Sequence, residues 1–167
     1  MNVGFIGLGA MGWPMAGHLH RAGLLRAVAN RSADRAQRFA AAHAGVRAGT
    51  PAELATGCEV VALCVTADAD VLAVTREIAA AARSGTVVID HSTVSPETAR
   101  QAAALMRAAG GDFVDAPVSG GVEGAKNGKL SVMAGGESAA LDRVRAVLET
   151  YAVRLSHLGP VGAGQAT

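Results

Sequence analysis

The sequence has 167 residues, of which half are hydrophobic, and its 15 basic and 14 acidic side chains leave a formal net charge of +1. The charges are interspersed and form no basic patch, which excludes nucleic-acid binding by phosphate neutralisation. No apolar run reaches the roughly 18 residues of a membrane span and no charged segment precedes a cleavage site, so we expect a single cytoplasmic α/β domain.

The first two dozen residues have the order of a dinucleotide-binding fold. An apolar run over residues 3–6 predicts a strand, and a helical pattern begins after residue 12. Between them lies the pattern G-x-G-x-x-G, in a position where it connects a strand to a helix. We predict that this turn binds the cofactor through Gly7, Leu8, Gly9, Ala10, Met11 and Gly12.

Each glycine of this turn has an expected purpose. Gly7 permits the tight turn out of the strand, and Gly12 lets the helix pack closely against it. Gly9 has no Cβ, so a pyrophosphate can approach the backbone. The free N–H groups and the positive dipole end of the helix then face the phosphates.

Strands and helices alternate along the rest of the chain. Further strands are predicted at residues 25–29, 46–48, 59–65, 86–89, 113–116, 130–134 and 153–157. Helices are predicted at residues 33–43, 70–83, 98–108 and 138–149, with a short one that begins at Thr50-Pro51. Residues 117–128 are predicted to form a long glycine-rich loop. This pattern predicts a Rossmann-type doubly wound, mostly parallel sheet with helices on both faces.

The residues after the second predicted strand indicate which cofactor is bound. Asn30 lies 18 residues after Gly12, near the position where NAD-binding proteins carry an acid for the ribose 2′-hydroxyl. The sequence there is Asn30-Arg31-Ser32, with an amide, a guanidinium and a hydroxyl that can all donate to a phosphate. We therefore predict that this segment binds the 2′-phosphate and that NADP(H) is preferred over NAD(H).

Two further segments follow predicted strands at the edge of the sheet where ligands bind. Val65 and Thr66 end one strand and are expected to contact the cofactor through their backbone. The run Asp90-His91-Ser92-Thr93 follows another. Sequential side chains in extended backbone point to alternate faces, so these residues cannot form a Ser-His-Asp relay. We expect Thr93 near the nicotinamide and do not assign His91 as a base.

A second glycine-rich segment is the candidate substrate site. The backbone N–H groups of Ser119, Gly120 and Gly121 can form a nest for an anion, and the serine adds a hydroxyl donor. A small carboxylate substrate fits such a site. The chain's only lysines, Lys126 and Lys129, flank this segment and could be proposed as proton donors, but we expect them to be solvated surface residues.

No metal site is expected. His18 and His20 are two residues apart on a helix and do not share a face. Cys58 and Cys64 have neither a metal-ligand spacing nor the pattern of a disulfide framework, so we expect both to be small hydrophobic side chains in or beside a buried strand.

Together these segments resemble the β-hydroxyacid dehydrogenase family, which includes 3-hydroxyisobutyrate dehydrogenase and tartronate semialdehyde (glyoxylate-type) reductases. The resemblance covers the whole chain and is carried by residues 7–16, 90–93, 115–121 and 159–164. It implies hydride transfer between nicotinamide and a β-hydroxyacid carbon, with the cofactor on residues 7–12 and Arg31. It also places Thr93 by the nicotinamide and the substrate carboxylate on Ser119, Gly120 and Gly121.

The chain departs from the family at its end. In the family a lysine that exchanges a proton with the substrate oxygen follows the last glycine-rich stretch, and here it would come directly after Thr167. The helical second domain that completes the cleft and builds the oligomer is also absent from these residues. We therefore expect residues 1–167 to be an NADP-binding Rossmann domain that turns over little or nothing alone, in a protein that forms homo-oligomers at full length.

Three other interpretations remain. A 6-phosphogluconate dehydrogenase-like enzyme has a similar Ser-Gly-Gly-x-x-Gly-Ala loop, here residues 119–125. Imine reductases share the fold and the Asn-Arg-Ser preference, but residues 117–121 are not expected in them. A non-catalytic NADPH-binding module is the third.

Overall fold

The computed structural model describes all residues 1–167 and contains one nine-stranded sheet and seven helices. The strands are β1 (Val3–Ile6), β2 (Leu25–Ala29), β3 (Arg47–Ala48), β4 (Val60–Leu63), β5 (Val87–Asp90), β6 (Asp112–Asp115), β7 (Val118–Ser119), β8 (Leu130–Gly135) and β9 (Ala152–Gly159). The helices are α1 (Gly12–Arg21), α2 (Ala33–Ala42), α3 (Pro51–Gly57), α4 (Asp68–Ala81), α5 (Pro96–Ala108), α6 (Gly121–Asn127) and α7 (Ser138–Leu148). None of these helices has the length and apolarity needed to span a bilayer.

The sheet is doubly wound, as the sequence predicts. Its order is β3-β2-β1-β4-β5-β6-β8-β7, with β9 also paired to β8. The strands from β3 to β6 are parallel, β8 is antiparallel to both β6 and β7, and β9 is parallel to β8. The chain leaves β1 on one side toward β2 and returns on the other side as β4. This reversal opens a crevice at the carboxyl ends of the strands, which is where doubly wound sheets bind ligands.

Helices cover both faces of the sheet and divide the core into two layers. Along β1, Val3 and Phe5 point into one apolar cluster and Ile6 points into the other. All four residues of β1, β4 and β5 are buried, which explains why these strands read as continuous apolar runs.

Two helices begin with side-chain caps, one of them at the predicted start Thr50-Pro51. Thr50 accepts a hydrogen bond from the Glu53 N–H at 3.2 Å, and the Glu53 carboxylate accepts one from the Thr50 N–H at 3.0 Å. Ser95 caps α5 by accepting from the Thr98 N–H at 3.1 Å. Ser32 occupies the N-cap position of α2, but its side chain makes no capping hydrogen bond.

The prediction of a long loop at residues 117–128 is wrong, because these residues contain β7 and α6. Gly120, with φ of 134°, precedes α6, and Gly128 ends it in the left-handed conformation. The glycines that suggested an irregular loop therefore mark the two ends of a short helix. Ala125 is buried and holds this helix against the sheet.

Candidate functional site

The glycine turn after β1 is packed tightly on its protein side and open on the other. Gly7 has φ of 100°, and a Cβ there would lie 2.0 Å from the backbone oxygen of Cys64. A Cβ on Gly12 would lie 1.8 Å from the Gly7 oxygen. A Cβ on Gly9 would meet no atom within 4 Å. Gly7 and Gly12 are thus required by packing, whereas the space above Gly9 is free for a ligand.

A cavity of about 450 Å³ opens beside this turn, between the carboxyl ends of β1, β2 and β4 and the first turns of α4. Six of the predicted cofactor-binding residues line it: Gly7, Gly9, Asn30, Arg31, Val65 and Thr66. The other six lie outside its lining: Leu8, Ala10, Met11, Gly12, Ser32 and Thr93. The cavity lies at the crevice that the strand order predicts.

Asn30 connects the end of β2 to the glycine turn. Its side-chain Oδ1 accepts a hydrogen bond from the Leu8 N–H at 2.8 Å, and its Nδ2 donates to the Ser32 carbonyl at 3.2 Å. The amide therefore holds two loops of the site together, and one of its N–H groups has no partner within the protein.

Arg31 projects from the end of β2 with its side chain 85% exposed. Its Nη2 donates to Oδ1 of Asp70, which lies in the first turn of α4 and lines the same cavity. The sequence carries no acid at position 30, but the fold places one across the cavity from Arg31. Sequence reasoning missed Asp70 because it is 39 residues away along the chain.

The candidate substrate segment lies at the end of β7. Ser119, Gly120 and Gly121 are all exposed, and both glycines have positive φ, 134° and 63°. The two lysines are also exposed: Lys126 is in the last turn of α6 and Lys129 follows it, at the opposite end of the helix from Gly121.

The segment after β5 is buried and does not form a catalytic relay, as predicted. Asp90 Oδ1 accepts from the Ser92 N–H at 2.9 Å, while Ser92 Oγ accepts from the Val65 N–H at 2.9 Å. The His91 ring instead contacts the Ala116 carbonyl through Nδ1 at 2.7 Å and the Tyr151 hydroxyl through Nε2 at 2.6 Å. Of this segment, Thr93 alone is exposed.

Burial dominates the electrostatics of these side chains. It raises the pKa of Asp90 to about 7, and the Oδ2 atom of this carboxyl has no hydrogen-bond partner. It lowers the pKa of His91 to about 4, so the imidazole is neutral. A carbonyl only accepts, so Nδ1 carries the proton, and Nε2 accepts from the tyrosine.

Comparisons with known proteins agree with this geometry. Residues 2–159 match the family described as the NAD binding domain of 6-phosphogluconate dehydrogenase. The chain is 43% identical to an uncharacterized oxidoreductase of Shewanella frigidimarina and 40% identical to the mitochondrial 3-hydroxyisobutyrate dehydrogenase of Drosophila melanogaster; each alignment covers 99% of the chain. The structure of Mycobacterium tuberculosis 3-hydroxyisobutyrate dehydrogenase with L-serine superposes with a TM-score of 0.91 and 40% identity over 99% of the chain.

The chain spans 58%, 51% and 56% of the lengths of these three proteins, respectively. The chain belongs to the β-hydroxyacid dehydrogenase family. It corresponds to the N-terminal NAD-binding domain of that family. The resemblance inferred from the motifs is thereby confirmed.

In this NAD-binding domain, the last glycine-rich stretch is bound back onto the sheet, a feature that sequence reasoning missed. Asp115, fully buried at the end of β6, accepts from the Gly162 N–H at 2.8 Å and from the Gln165 N–H at 2.9 Å. The Gln165 amide accepts from the Val94 N–H at 3.2 Å and donates to the Ser92 carbonyl at 2.6 Å. Gln165 therefore contacts the backbone on both sides of Thr93.

Arg35 is a second cation that sequence reasoning missed in the NAD-binding domain. Its Nε donates to the Leu8 carbonyl in the glycine turn, and its guanidinium lies 4.7 Å from the centre of the Trp13 ring. Arg35 lies in the first turn of α2, four residues after Arg31, which itself precedes the helix.

The two cysteines lie on either side of β4 and are not bonded to each other, as predicted. Cys58 is buried and Cys64 is partly buried beside the cavity. Burial raises the pKa of Cys64 to about 11, so its thiol stays protonated and is a poor nucleophile.

Proposed function

We propose that this domain holds NADP(H) in an oxidoreductase that transfers a hydride between nicotinamide and a small β-hydroxyacid or semialdehyde acid. The observation that carries the proposal is the exposed guanidinium of Arg31 at the end of β2, on the wall of a cavity whose glycine turn leaves space above Gly9. A guanidinium binds a phosphate through two parallel, charge-assisted hydrogen bonds. The neutral 2′-hydroxyl of NAD(H) offers only a weaker hydrogen bond.

Different segments of the chain bind different parts of the cofactor. Gly9 and the start of α1 hold the pyrophosphate, where backbone N–H groups and the helix dipole favour negative charge. Arg31 and Ser32 face the 2′-phosphate, Val65 and Thr66 contact the cofactor through their backbone, and Thr93 lies by the nicotinamide. The bound nicotinamide supplies or accepts the hydride.

Ser119, Gly120 and Gly121 hold the substrate carboxylate in this proposal. Their backbone includes two exposed glycines with positive φ, which lets successive N–H groups point toward one anion. A lysine directly after residue 167, where the family has one, would exchange the proton. Gln165 supports that placement, because its contacts bring the end of the chain beside Thr93.

Binding measurements test the cofactor preference. We expect NADPH to quench protein fluorescence with a Kd at least about ten times lower than that of NADH, since the 2′-phosphate pair with arginine is a charge-assisted contact. Arg31→Gln should remove this difference and leave NADH binding unchanged. Equal affinity of the wild-type protein for the two cofactors would overturn the preference.

Turnover measurements test the reaction. A chain that includes the family's lysine and helical second domain should oxidise NADPH with a semialdehyde acid and reduce NADP⁺ with 3-hydroxyisobutyrate, whereas residues 1–167 alone should bind cofactor with little turnover. Loss of a positioned proton donor costs about 10²- to 10⁴-fold in rate. Faster reaction with 6-phosphogluconate would favour the related sugar-acid reaction, and no substrate-dependent oxidation would favour a non-catalytic NADPH-binding module.

A further inference from the structure

One ion pair joins two walls of the cofactor cavity. Arg31 Nη2 at the end of β2 donates to Asp70 Oδ1 in the first turn of α4, and both residues line the cavity. The Asp70 side chain is 23% exposed and its second oxygen accepts from the Ala67 N–H at 3.1 Å. Asp70 is thus fixed by its own helix, whereas the arginine is 85% exposed and able to move.

Arg31 has no other hydrogen-bond partner for its side chain in the protein than this carboxylate. A guanidinium that is paired with a carboxylate can bind a phosphate in two ways. It either breaks its contact with the carboxylate or bridges the two anions. Bridging would place the carboxylate close to a phosphate dianion, and such like charges repel. The geometry therefore favours exchange of one anion for the other.

We propose that Asp70 is a latch that holds Arg31 when no cofactor is bound, so that NADP(H) binding exchanges the Asp70 carboxylate for the 2′-phosphate as the partner of Arg31. The proposal rests on the proposed function, in which Arg31 binds the 2′-phosphate. Asp70 then sets the degree of cofactor selectivity, since it weakens binding of the phosphorylated cofactor and leaves the unphosphorylated one unaffected.

The two probes that isolate this effect are 2′,5′-ADP and 5′-AMP, which differ only in the 2′-phosphate. Asp70→Asn removes the charge and keeps an oxygen that can accept from the Ala67 N–H. An exposed ion pair contributes a modest amount, so we expect 2′,5′-ADP to bind Asp70→Asn about two- to fivefold more tightly than wild type, with 5′-AMP unchanged. Calorimetric titration of the protein at its natural length measures both.

A matched variant separates the latch from a general charge effect. Glu77 lines the same cavity from the same helix but makes no ion pair with Arg31. Glu77→Gln should therefore strengthen 2′,5′-ADP binding by less than Asp70→Asn does. Asp70→Ser serves as a second charge-removing variant, and thermal unfolding of each variant shows whether it is folded.

The outcomes distinguish the latch from the function beneath it. If Arg31→Gln does not weaken 2′,5′-ADP binding, the proposed role of Arg31 fails and the latch fails with it. If Arg31→Gln weakens binding but Asp70→Asn does not strengthen it, the latch alone is wrong. Weaker binding in Asp70→Asn would then mean that Asp70 orients the arginine, and unchanged binding would mean that the ion pair has no effect on the phosphate. If Asp70→Asn bound 2′,5′-ADP and 5′-AMP more tightly by the same factor, the latch would also be overturned, since the effect would not depend on the 2′-phosphate. In the Arg31→Gln background, the gain from Asp70→Asn should shrink.

Discussion

The Tyr151 hydroxyl donates a hydrogen bond of 2.6 Å to Nε2 of His91, and both side chains are buried. The other ring nitrogen of His91 donates to the Ala116 carbonyl at 2.7 Å. Tyr151 precedes β9, His91 follows β5, and Ala116 lies between β6 and β7. A single imidazole thus connects three parts of the chain. One of its contacts, Ala116, lies just before the segment that carries Ser119.

Removing the tyrosine hydroxyl should destabilise the fold. Tyr151→Phe keeps the ring and leaves the buried Nε2 acceptor of His91 without a partner, which costs about 1–3 kcal/mol of unfolding free energy. Denaturant unfolding measures the loss. Thr150→Val is the control, because the Thr150 hydroxyl donates within its own turn, to the Val147 carbonyl, and is only partly buried. Equal losses in the two variants would contradict the role given to the pair.

Asp90 should make stability fall as pH rises toward neutrality. Its pKa is about 7 in the folded protein and ordinarily 3.8, so between these values the folded state binds more protons than the unfolded state. Asp90→Asn resembles the protonated acid and keeps an oxygen for the Ser92 N–H. The variant should match wild type below about pH 4 and gain stability relative to it up to about pH 7. Unfolding titrations across this range measure the difference.

His91 acts in the opposite direction, and this gives a check on the Asp90 result. Its pKa is about 4 in the folded protein and ordinarily 6.5, so stability is lost as pH falls through that window. The two neighbours therefore nearly cancel between about pH 4 and 6.5 in the wild-type protein. Asp90→Asn should expose the histidine dependence, so that its stability falls as pH falls from about 6.5 to about 4. Stability parallel to wild type across this window would contradict the Asp90 assignment, and a variant whose stability is independent of pH there would contradict the His91 assignment.

The fold and part of the cavity lining follow from local patterns in the sequence. The apolar runs of β1, β4 and β5 are continuous because both faces of those strands are buried. The glycine turn is recognisable because Gly7 and Gly12, only five residues apart in the sequence, both lie where a Cβ would clash with the backbone. Such short-range constraints leave a pattern that can be read directly.

Contacts between distant segments leave no such pattern. Asp70 meets Arg31 only because α4 returns the chain to the end of β2, and Gln165 reaches Ser92 and Val94 only after β6 to β9 are placed. The prediction at residues 117–128 failed for a local reason, because glycines at the ends of a seven-residue helix resemble those of a loop.

Asp115 should hold the last turn of the chain in place. Its two oxygens each accept from a backbone N–H, at Gly162 and Gln165, and an asparagine would direct an N–H₂ group at one of these donors. We expect Asp115→Asn to speed hydrogen exchange at residues 162 and 165 and to lower the unfolding free energy by about 1–3 kcal/mol. Mass-spectrometric exchange measures the first effect.

Asp112→Asn is the matched control for Asp115, since Asp112 begins the same strand and is 4.0 Å from a guanidinium nitrogen of Arg143 at the surface. Its exchange rates at residues 162 and 165 should equal those of wild type. Unchanged exchange in Asp115→Asn would show that the turn is held by other contacts.

Gly9 and Gly12 should respond differently to the same substitution. A Cβ on Gly12 would lie 1.8 Å from the Gly7 oxygen, so Gly12→Ala must displace α1 from β1 and destabilise the domain. A Cβ on Gly9 has no neighbour within 4 Å, so Gly9→Ala should fold with a melting temperature close to that of wild type. If a pyrophosphate packs against Gly9, however, the added methyl group occupies its place, and we expect Gly9→Ala to bind NADPH at least about tenfold more weakly.

Gly23→Ala supplies a reference for the glycine pair, because a Cβ on Gly23 would also meet no atom within 4 Å but this residue lies after α1, away from the cavity. Its positive φ of 77° predicts some loss of stability and no loss of NADPH affinity. Thermal unfolding and fluorescence titration of the three variants separate stability from binding. Normal NADPH affinity in Gly9→Ala would mean that the phosphates lie elsewhere, because no protein atom competes for the space above that residue.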